Sequence, residues 1–430
     1  MTNLDRNYVI WNCYKALIRM KTEIFTYAHW LGLLEPKLIG TLTAHFAKGR
    51  KAFSFEYDSH WLQTESAFLL DPEIRFFSGP QFAKQENFGV FMDSMPDTWG
   101  KTLMKRKAAQ EALEKGLNVP KLYDIDYLLG VYDETRMGAL RFKTNQNGPF
   151  LDADNNRPTP PWSDIRKLQA AAKNIEDNAQ EDVKEWLSIL IAPGSSLGGA
   201  RPKANITDEN QNLWIAKFPS KNDIIDKGSW EFLAHQLAIR AGILMAPCRI
   251  QKISGNYHTF FTKRFDRLGK NRIHFSSAMT MTGFSEEKLR FETASYLDIA
   301  EFILIHGVDV DKNLEQLWRR IIFNILISNT DDHLRNHGFI LSPKGWELSP
   351  AYDINPSVEK NHLALNINED DSSLNIELAE SVGEYFRLKS TRMRQIISDV
   401  KVAVATWHKL AEALEIPKSE QELMRAAFNY

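Results

Sequence analysis

A polar block in the last third of the chain carries two carboxylates and an amide at a spacing that suits phosphoryl transfer. Asp331 is followed five residues later by Asn336, and Asp353 lies seventeen residues beyond that amide. In phosphoryl transfer one carboxylate accepts the proton of the attacking hydroxyl, while an amide and a second carboxylate hold Mg²⁺ on the nucleotide phosphates. Asn336 and Asp353 offer the hard oxygen atoms that Mg²⁺ prefers. The block therefore predicts Asp331 as a catalytic base beside a magnesium site, although such residues taken alone are more commonly caps and Asx-turns.

Several features earlier in the chain occur in the same order along the sequence as the nucleotide-binding parts of kinases. The glycine-rich stretch 195–203 can bring backbone amides close to a phosphate. Lys217 follows on a predicted strand, where kinases place a phosphate-pairing lysine, and Glu231 lies on the next predicted helix. Taken singly, the glycine-rich stretch and Lys217 are better explained as a surface turn and a solvated lysine. For Glu231, an ion pair with Lys217 and a first-turn glutamate that favours the helix dipole both stay open. The shared order of these features favours a kinase, although the H-R-D and D-F-G motifs of eukaryotic-type kinases are absent.

Composition and charge exclude several other classes of protein. The 430 residues carry a net charge of −2, with 43% apolar and 25% charged residues, which is typical of globular proteins. There is no global basic excess to indicate direct nucleic-acid binding, and no apolar run approaches the roughly 20 residues of a spanning helix. Cys13 and Cys248 are too far apart for a zinc motif or a disulfide framework. We therefore expect a cytoplasmic protein with reduced thiols.

The elements that must position these groups divide the chain into a β-rich beginning and a helical end. Residues 1 to about 90 alternate apolar and polar residues as half-buried strands do. A helix follows, for which Asp97 or Thr98 is the predicted cap and Gly116 the predicted end. Residues 143–164 are rich in Asn, Asp, Pro and Gly, and we interpret them as a loop or linker.

Helices are predicted to dominate the rest of the chain. One helix at about 163–191, with Ser163 as a possible N-cap, precedes the glycine-rich stretch. A later helix carries an apolar stripe that indicates core packing, formed by Leu314, Leu317, Ile321, Ile322 and Ile325. The predicted fold class is α+β and bilobal, with a β-rich N-terminal lobe and a mainly helical C-terminal lobe around a nucleotide cleft. The predicted domains are an N-terminal region at 1–142, a linker at 143–164 and a kinase core at 165–430.

Taken together, many short segments resemble the HipA-type serine/threonine kinases, the toxins of bacterial toxin–antitoxin modules. In the C-terminal half they are SLGGARPKA, AKFP, WEFLAHQLAIRAGI, KRFDR, SNTDDHLRNHGFI and LSPAYDINPS. In the N-terminal half they are LIGTLTAHFAKGRKAFSFEYDSHWL, FMDSMPDTWGK and RMGALRF. The likeness spans nearly the whole chain, and it implies a protein-kinase-like fold with ATP and Mg²⁺ as cofactors.

The resemblance also implies roles for individual residues. Asp331 is the implied general base, with Lys217 and Glu231 as further catalytic residues. Asn336 and Asp353 are the implied metal ligands. The implied nucleotide contacts come from three places. They are the glycine-rich stretch, here called the phosphate loop, the backbone of residues 263–265, and the polar block that contains Asp331. These contacts are Gly198, Gly199, Ala200, Arg201, Lys203, Lys217, Lys263, Arg264, Phe265, His333, Asn336, Tyr352 and Asp353.

Regulation and partners follow from the same resemblance. In the family a serine just ahead of the phosphate loop is autophosphorylated, which ejects the loop; the matching position is Ser196, with Ser195 beside it. Family substrates include aminoacyl-tRNA synthetases, and the usual partner is a small helix-turn-helix antitoxin that binds operator DNA. The resemblance therefore implies an antitoxin, and through it operator DNA, as partners of this chain.

Two departures from the founding toxin keep other functions open. Arg201 and Pro202 stand where that toxin has Gln and Glu, and Asp332 stands where it has Gly. Proline fixes φ and removes an N–H donor, so the loop is expected to hold phosphate differently. The alternative is a catalytically weak kinase-fold module that acts as antitoxin partner and transcriptional co-repressor. A lipid or small-molecule kinase is a third candidate, but no polybasic cluster or basic amphipathic helix supports membrane work.

Overall fold

The computed structural model describes residues 21–47, 50–65, 68–84, 87–151, 159–177, 187, 190 and 199–428. Cys13, Ser195, Ser196 and Gly198 lie outside the described residues. Within those ranges, none of the helices combines the length and the apolar character needed to span a bilayer.

An antiparallel sheet forms the first part of the described chain. Its strands are β1 (Lys21–Ala28), β2 (Lys37–Ala47), β3 (Arg50–Tyr57), β4 (Gln81–Phe82) and β5 (Leu140–Lys143). They are arranged in the order β4-β3-β2-β1-β5. In β1, Ile24, Thr26 and Ala28 are buried while the residues between them are partly exposed, which is the two-residue period of a sheet with one face on a core. The β-rich character predicted for the first 90 residues is confirmed for the part described.

Helices α1 (Ser59–Thr64), α2 (Gly89–Met92), α3 (Thr98–Glu114) and α4 (Asp124–Leu129) accompany this sheet. The Asp97 side chain accepts a hydrogen bond from Gly100 N at 2.9 Å and so caps α3, as predicted. Gly116 follows the helix with a φ of +61°, a left-handed conformation that costs glycine little. Both predicted ends of this helix are confirmed.

A second antiparallel sheet lies at the centre of the molecule. Its strands are β6 (Lys203–Thr207), β7 (Leu213–Lys217), β8 (Cys248–Gln251) and β9 (Thr259–Lys263). They are arranged in the order β6-β7-β9-β8. Helix α5 (Ile165–Glu176) and Trp99 of α3 share one apolar core with β6, β7 and β9. Helix α6 (Lys227–Arg240) follows β7 and contacts β8 and β9. The predicted strand that carries Lys217 and the helix that carries Glu231 are confirmed.

The helix predicted at 163–191 is wrong in both its start and its continuity. Ser163 lies inside a 3₁₀ turn, Trp162–Asp164, and α5 begins at Ile165 with Asp164 at its N-cap position. The helix ends at Glu176, and residues 178–186 lie outside the described residues. Apolar periodicity does not distinguish a 3₁₀ turn from the first turn of an α-helix, because their spacings of 3.0 and 3.6 residues diverge little over one turn.

The C-terminal part is mainly helical, as predicted. Its helices are α7 (Ala278–Met281), α8 (Tyr296–His306), α9 (Val310–Leu326), α10 (Ile376–Ser381), α11 (Ser390–Val404), α12 (Trp407–Ala413) and α13 (Lys418–Met424). Further 3₁₀ turns are Lys288–Arg290, Leu334–Asn336, Gly383–Phe386 and Arg425–Ala427. All five residues of the predicted stripe on α9 are buried in one core, so that prediction is confirmed. The result is an α+β architecture with a β-rich N-terminal part and a helical C-terminal part.

Short strands connect the two parts. They are β10 (Arg267–Leu268), β11 (Asn271–Arg272), β12 (His274–Ser277), β13 (Gly338–Ser342) and β14 (Gly345–Leu348). Strands β12, β13 and β14 form a small sheet in that order, and β13 and β14 are the strand-turn-strand predicted between Asn336 and Asp353. This hairpin returns the chain so that Asp353 comes back towards the block that contains Asp331.

Candidate active site

An apolar pocket lies between the central sheet and the segment that follows β14. Ile215, Phe260, Met245, Met137 and Ile354 contribute apolar side chains to its lining. Residues 263–266 form its rim, where the resemblance predicts adenine contacts. The N–H groups of Lys263 and Arg264 donate to the carbonyls of Pro247 and Leu213, at 2.8 and 2.9 Å. The backbone N–H of Phe265 makes no hydrogen bond to a described residue, so it is the donor available to a ligand at this rim.

The side chain of Arg264 is held in a buried ionic contact. Its guanidinium binds the buried carboxylate of Asp266, with Nε–Oδ1 at 2.8 Å, and it donates to Asn205 Oδ1 at 3.1 Å. Arg264 is 3% exposed and Asp266 is fully buried. The Arg264 side chain is therefore held by Asp266 and Asn205, and the adenine-contact role that the resemblance implies for its backbone stays a prediction.

Lys217 lies at the inner end of the cleft, between two carboxylates. Its Nζ donates to Glu231 Oε1 and to Asp353 Oδ1, both at 2.6 Å. Burial alone would lower the pKa of Lys217, but the two carboxylates raise it above its ordinary value. Burial would likewise raise the pKa of Asp353, yet the charge and hydrogen bond of Lys217 lower it to about 2. Burial and the nearby Asp353 raise the pKa of Glu231 despite the attraction of Lys217. Lys217 and Asp353 are therefore both charged at neutral pH.

Asp353 has an unusual backbone conformation. Its φ is +57°, in the left-handed region that only a few per cent of non-glycine residues adopt, Asp and Asn more often than others. Such conformations cluster at functional sites, where the surrounding structure holds them. The preceding Tyr352 donates from its hydroxyl to the Arg335 carbonyl at 2.8 Å and packs its ring against Phe265 at 5.6 Å. Tyr352 thereby connects the polar block, through Arg335, to the rim of the apolar pocket.

The two adjacent aspartates of the polar block, Asp331 and Asp332, have opposite surroundings. Asp331 is exposed at the mouth of the cleft, while Asp332 is 2% exposed. The Asp332 carboxylate accepts hydrogen bonds from Tyr296, Asn324 and His337, at 2.6, 2.7 and 2.7 Å. Burial alone would raise the pKa of Asp332, but His337 and these hydrogen bonds lower it. Asp332 therefore fixes the loop that presents Asp331.

Asn336 and His333 keep buried polar atoms without partners among the described residues. Asn336 Nδ2 donates to the Asp331 carbonyl at 3.0 Å, but Asn336 Oδ1 accepts no hydrogen bond. His333 Nδ1 is likewise buried and has no hydrogen-bond partner among the described residues. An unpaired buried oxygen is costly unless a ligand completes it. Asn336 Oδ1 and the Asp353 carboxylate are hard oxygen atoms of the kind that Mg²⁺ prefers, and their joint role as metal ligands stays a prediction.

The described part of the glycine-rich stretch begins with Gly199 and Ala200, both exposed. The guanidinium of Arg201 binds Asp223 through two hydrogen bonds of 2.9 and 2.7 Å. Lys203 is buried, and its Nζ donates to Asp97 Oδ2 at 2.7 Å and to the Gly199 carbonyl at 3.0 Å. Sequence reasoning identified Asp97 only as a helix cap and did not find Asp223. No local signal could have paired Asp97 with Lys203, because 106 residues separate them.

One continuous cleft contains most of the predicted site. Its polar end is lined by Gly199, Ala200, Arg201, Lys203, Lys217, Glu231, Asp331 and Asp353. Its apolar end is lined by Lys217, Glu231, Lys263, Arg264, Phe265, Tyr352 and Asp353. His333 and Gly199 line an adjoining groove towards α3. The polar end suits phosphates and the apolar end suits a flat base, which is the arrangement of a nucleotide site.

Comparison with known proteins gives this geometry a family context. Residues 195–407 match the family model described as HipA-like C-terminal domain. The serine/threonine-protein kinase toxin HipA of Shewanella oneidensis is 24% identical over 347 residues, which are 74% of this chain and 72% of that protein. A putative kinase of Haemophilus influenzae is 42% identical over 60 residues, 14% of this chain and 18% of that one.

A solved structure supports the same fold. A chain in the complex of HipA, HipB and operator DNA from Shewanella oneidensis MR-1 matches with a TM-score of 0.62 at 18% identity, covering 94% of each chain. At this identity the match shows the fold rather than the function. The bilobal architecture inferred from the sequence is therefore confirmed.

Proposed function

Because residues 195–407 match the HipA-like C-terminal domain and the chain is similar to a serine/threonine-protein kinase toxin HipA, we propose that it transfers the γ-phosphoryl group of ATP to a serine or threonine hydroxyl of a protein. The observation that carries this proposal is the cleft itself. Lys217, Glu231 and Asp353 meet at its inner end, and Asp331 stands exposed at its mouth. We place the catalytic core in residues 165–430.

In the proposed reaction Asp331 acts as the general base. Its exposed carboxylate accepts the proton of the substrate hydroxyl, whose oxygen forms a bond to the γ-phosphorus. The bond between that phosphorus and the β–γ bridging oxygen breaks, and ADP leaves with the electron pair. Lys217 remains charged throughout and orients the phosphates, while Glu231 holds Lys217 in place.

Asn336 Oδ1 and the Asp353 carboxylate are the groups that would hold Mg²⁺. Bound Mg²⁺ would neutralise charge on the transferred phosphoryl group. Asp353 donates no proton in this scheme because its low pKa keeps it a carboxylate. The apolar pocket would take the adenine, with the Phe265 N–H as its backbone donor.

Substrate, partner and regulation are further parts of the proposal. We propose a translation component such as an aminoacyl-tRNA synthetase as the substrate. The Shewanella HipA was solved with HipB and operator DNA, and we propose a HipB-like antitoxin, and operator DNA through it, as partners of this chain. Autophosphorylation at Ser196 or Ser195 and a cytoplasmic location complete the proposal.

One observation favours a second candidate, the weakly catalytic co-repressor. Arg201 and Lys203, two cations of the phosphate loop, are each bound to a carboxylate of another element. A loop that is held in this way would give up ion pairs to bind phosphate. Nucleotide binding without turnover would support this candidate.

The test compares the wild-type chain with Asp331→Asn. Mass spectrometry of the intact protein and its peptides, with and without Mg-ATP, measures transfer to the chain itself; labelled ATP and a panel of aminoacyl-tRNA synthetases measure transfer to substrate. We expect Asp331→Asn to lower the rate by about 100-fold or more, with unchanged ADP affinity. Transfer by the variant at the wild-type rate would refute the assignment of the base.

A further inference from the structure

The cations around the polar end of the cleft are largely committed to carboxylates. They pair as Arg201 with Asp223, Lys203 with Asp97, and Lys217 with both Glu231 and Asp353, at N–O distances of 2.6–2.7 Å. The positive charge of each of these cations is therefore already partly balanced by a carboxylate before a phosphate binds. The charge available to an incoming triphosphate is therefore smaller than the number of lysines and arginines implies.

Two lysines of this lining, Lys227 and Lys360, form no ion pair with a described residue, and Lys360 is exposed. Lys227 lines the same cavity as Gly199, Asp331 and Asp353 and is half-buried there. Its Nζ forms no ion pair or hydrogen bond with any described residue. Lys227 is thus a cation that faces the cleft and keeps its full hydrogen-bonding capacity.

The helix that carries Lys227 fixes its place along the cleft. Lys227 is the first residue of α6, and Glu231 lies four residues later, so both side chains project from the same face one turn apart. Glu231 lines both the apolar and the polar ends of the cleft, whereas Lys227 lines only the polar end. A nucleotide whose base occupies the apolar pocket would therefore place its outermost phosphate, not its inner ones, nearest to Lys227.

We propose that Lys227 binds the terminal phosphoryl group of the nucleotide and so makes the site prefer a nucleoside triphosphate over a diphosphate. This inference rests on the proposed kinase function. A charge-assisted hydrogen bond to an ammonium is strong because the donor is ionised, and the γ-phosphoryl oxygens carry charge that persists during transfer. Lys227 would also help product release, because ADP lacks the group that it binds.

The test measures two affinities for each of three proteins. Isothermal titration with Mg²⁺ gives the Kd of ADP and of an ATP analogue with a non-hydrolysable β–γ bridge, for the wild type, Lys227→Met and Lys270→Met. Lys270 is an exposed lysine in the turn between β10 and β11 and lines neither end of the cleft, so Lys270→Met removes the same charge outside the proposed site. We expect Lys227→Met to weaken the ATP analogue on the order of tenfold, with less than about a twofold change for ADP. Lys270→Met should change neither.

Other outcomes would overturn the proposal. Equal weakening of ADP and the analogue would assign Lys227 to an inner phosphate or to a general electrostatic effect. Unchanged affinities with a higher KM for the protein substrate would assign it to the acceptor. Lys227→Arg should keep the preference for the ATP analogue, because arginine retains the positive charge. Loss of that preference in a folded Lys227→Arg variant would also count against the proposal. If the wild type binds neither nucleotide, the proposed function fails as well.

Discussion

At the scale of single residues, two adjacent aspartates have opposite surroundings. The backbone carbonyl of Asp331 accepts hydrogen bonds from His333 N and from Asn336 Nδ2, both at 3.0 Å. The side chain of Asp331 is exposed. Asp332 is buried and accepts three side-chain hydrogen bonds. The acid that departs from the founding toxin therefore supports the loop, and it does not compete with Asp331 for the substrate proton.

This contrast predicts different costs for the same substitution. Asp332→Asn should lower the free energy of unfolding by about 2–4 kcal/mol, because it removes a buried charge from three donors. Asp331→Asn should change it by less than about 0.5 kcal/mol, because that side chain is exposed. Urea denaturation of both variants measures the difference. Similar stability losses would contradict the burial assigned to the two residues.

At the scale of elements, the first turn of α3 holds the phosphate loop in place. Trp99 N donates to the Gly199 carbonyl at 3.4 Å, and Trp99 Nε1 donates to the Lys203 carbonyl at 3.0 Å. Asp97 adds its ion pair with Lys203. An element of the N-terminal part thus positions both ends of the described loop. The proposed nucleotide site would consequently be shared between the two parts of the chain.

Trp99→Phe tests this connection because phenylalanine retains most of the buried apolar surface but cannot donate to Lys203. We expect a loss of about 1 kcal/mol in stability and a several-fold weaker ADP affinity. Trp162→Phe is the matched control, since Trp162 packs on Phe261 in the same core without a hydrogen bond to a described residue. Titration calorimetry should show unchanged ADP affinity for that control. Equal effects of the two variants would mean that core packing, not the hydrogen bond, holds the loop.

At the scale of the whole molecule, a buried ionic cluster joins the N-terminal part to the proposed nucleotide cleft. The Asp266 carboxylate binds Arg264 and Arg267 and accepts from Gly138 N at 2.8 Å. Gly138 has a φ of +74° and approaches the backbone of Phe275, so this turn favours glycine. Because the cluster connects residues 264–267 with the distant turn at Gly138, we expect both parts of the molecule to unfold in one cooperative transition.

The cluster also predicts a dependence of stability on pH. Burial alone would raise the pKa of Asp266, but the two arginines lower it from 3.8 to about 2. A depressed folded-state pKa contributes stability that is complete above the unfolded pKa and is lost as pH falls towards the folded one. The stability difference between wild type and Asp266→Asn should therefore shrink by about 1 kcal/mol between pH 6 and pH 3. Urea denaturation at both pH values measures it, with the exposed Asp371→Asn as control. A difference that is constant with pH would contradict the low pKa.

The sequence by itself determined the features that depend on near neighbours. The cap at Asp97, the end at Gly116 and the buried stripe of α9 follow from hydrogen bonds and periodicity within a few residues. The order of the chemical groups, from the glycine-rich stretch to Asp353, is also a property of the chain. These signals were enough to predict the fold class and a candidate site. The start of α5 was missed because a 3₁₀ turn and a helical turn have similar local patterns.

Only the tertiary structure decided which charges meet. Lys203 forms an ion pair with Asp97, which is 106 residues away in sequence, and Lys217 forms one with Asp353, 136 residues away. The type of a residue restricts its partners to an opposite charge, but the path of the intervening chain selects one of them. The same holds for burial: Asp331 and Asp332 are identical in type and adjacent in sequence. The packing of α8 and α9 around the loop exposes one and buries the other, because only Asp332 reaches Tyr296 and Asn324.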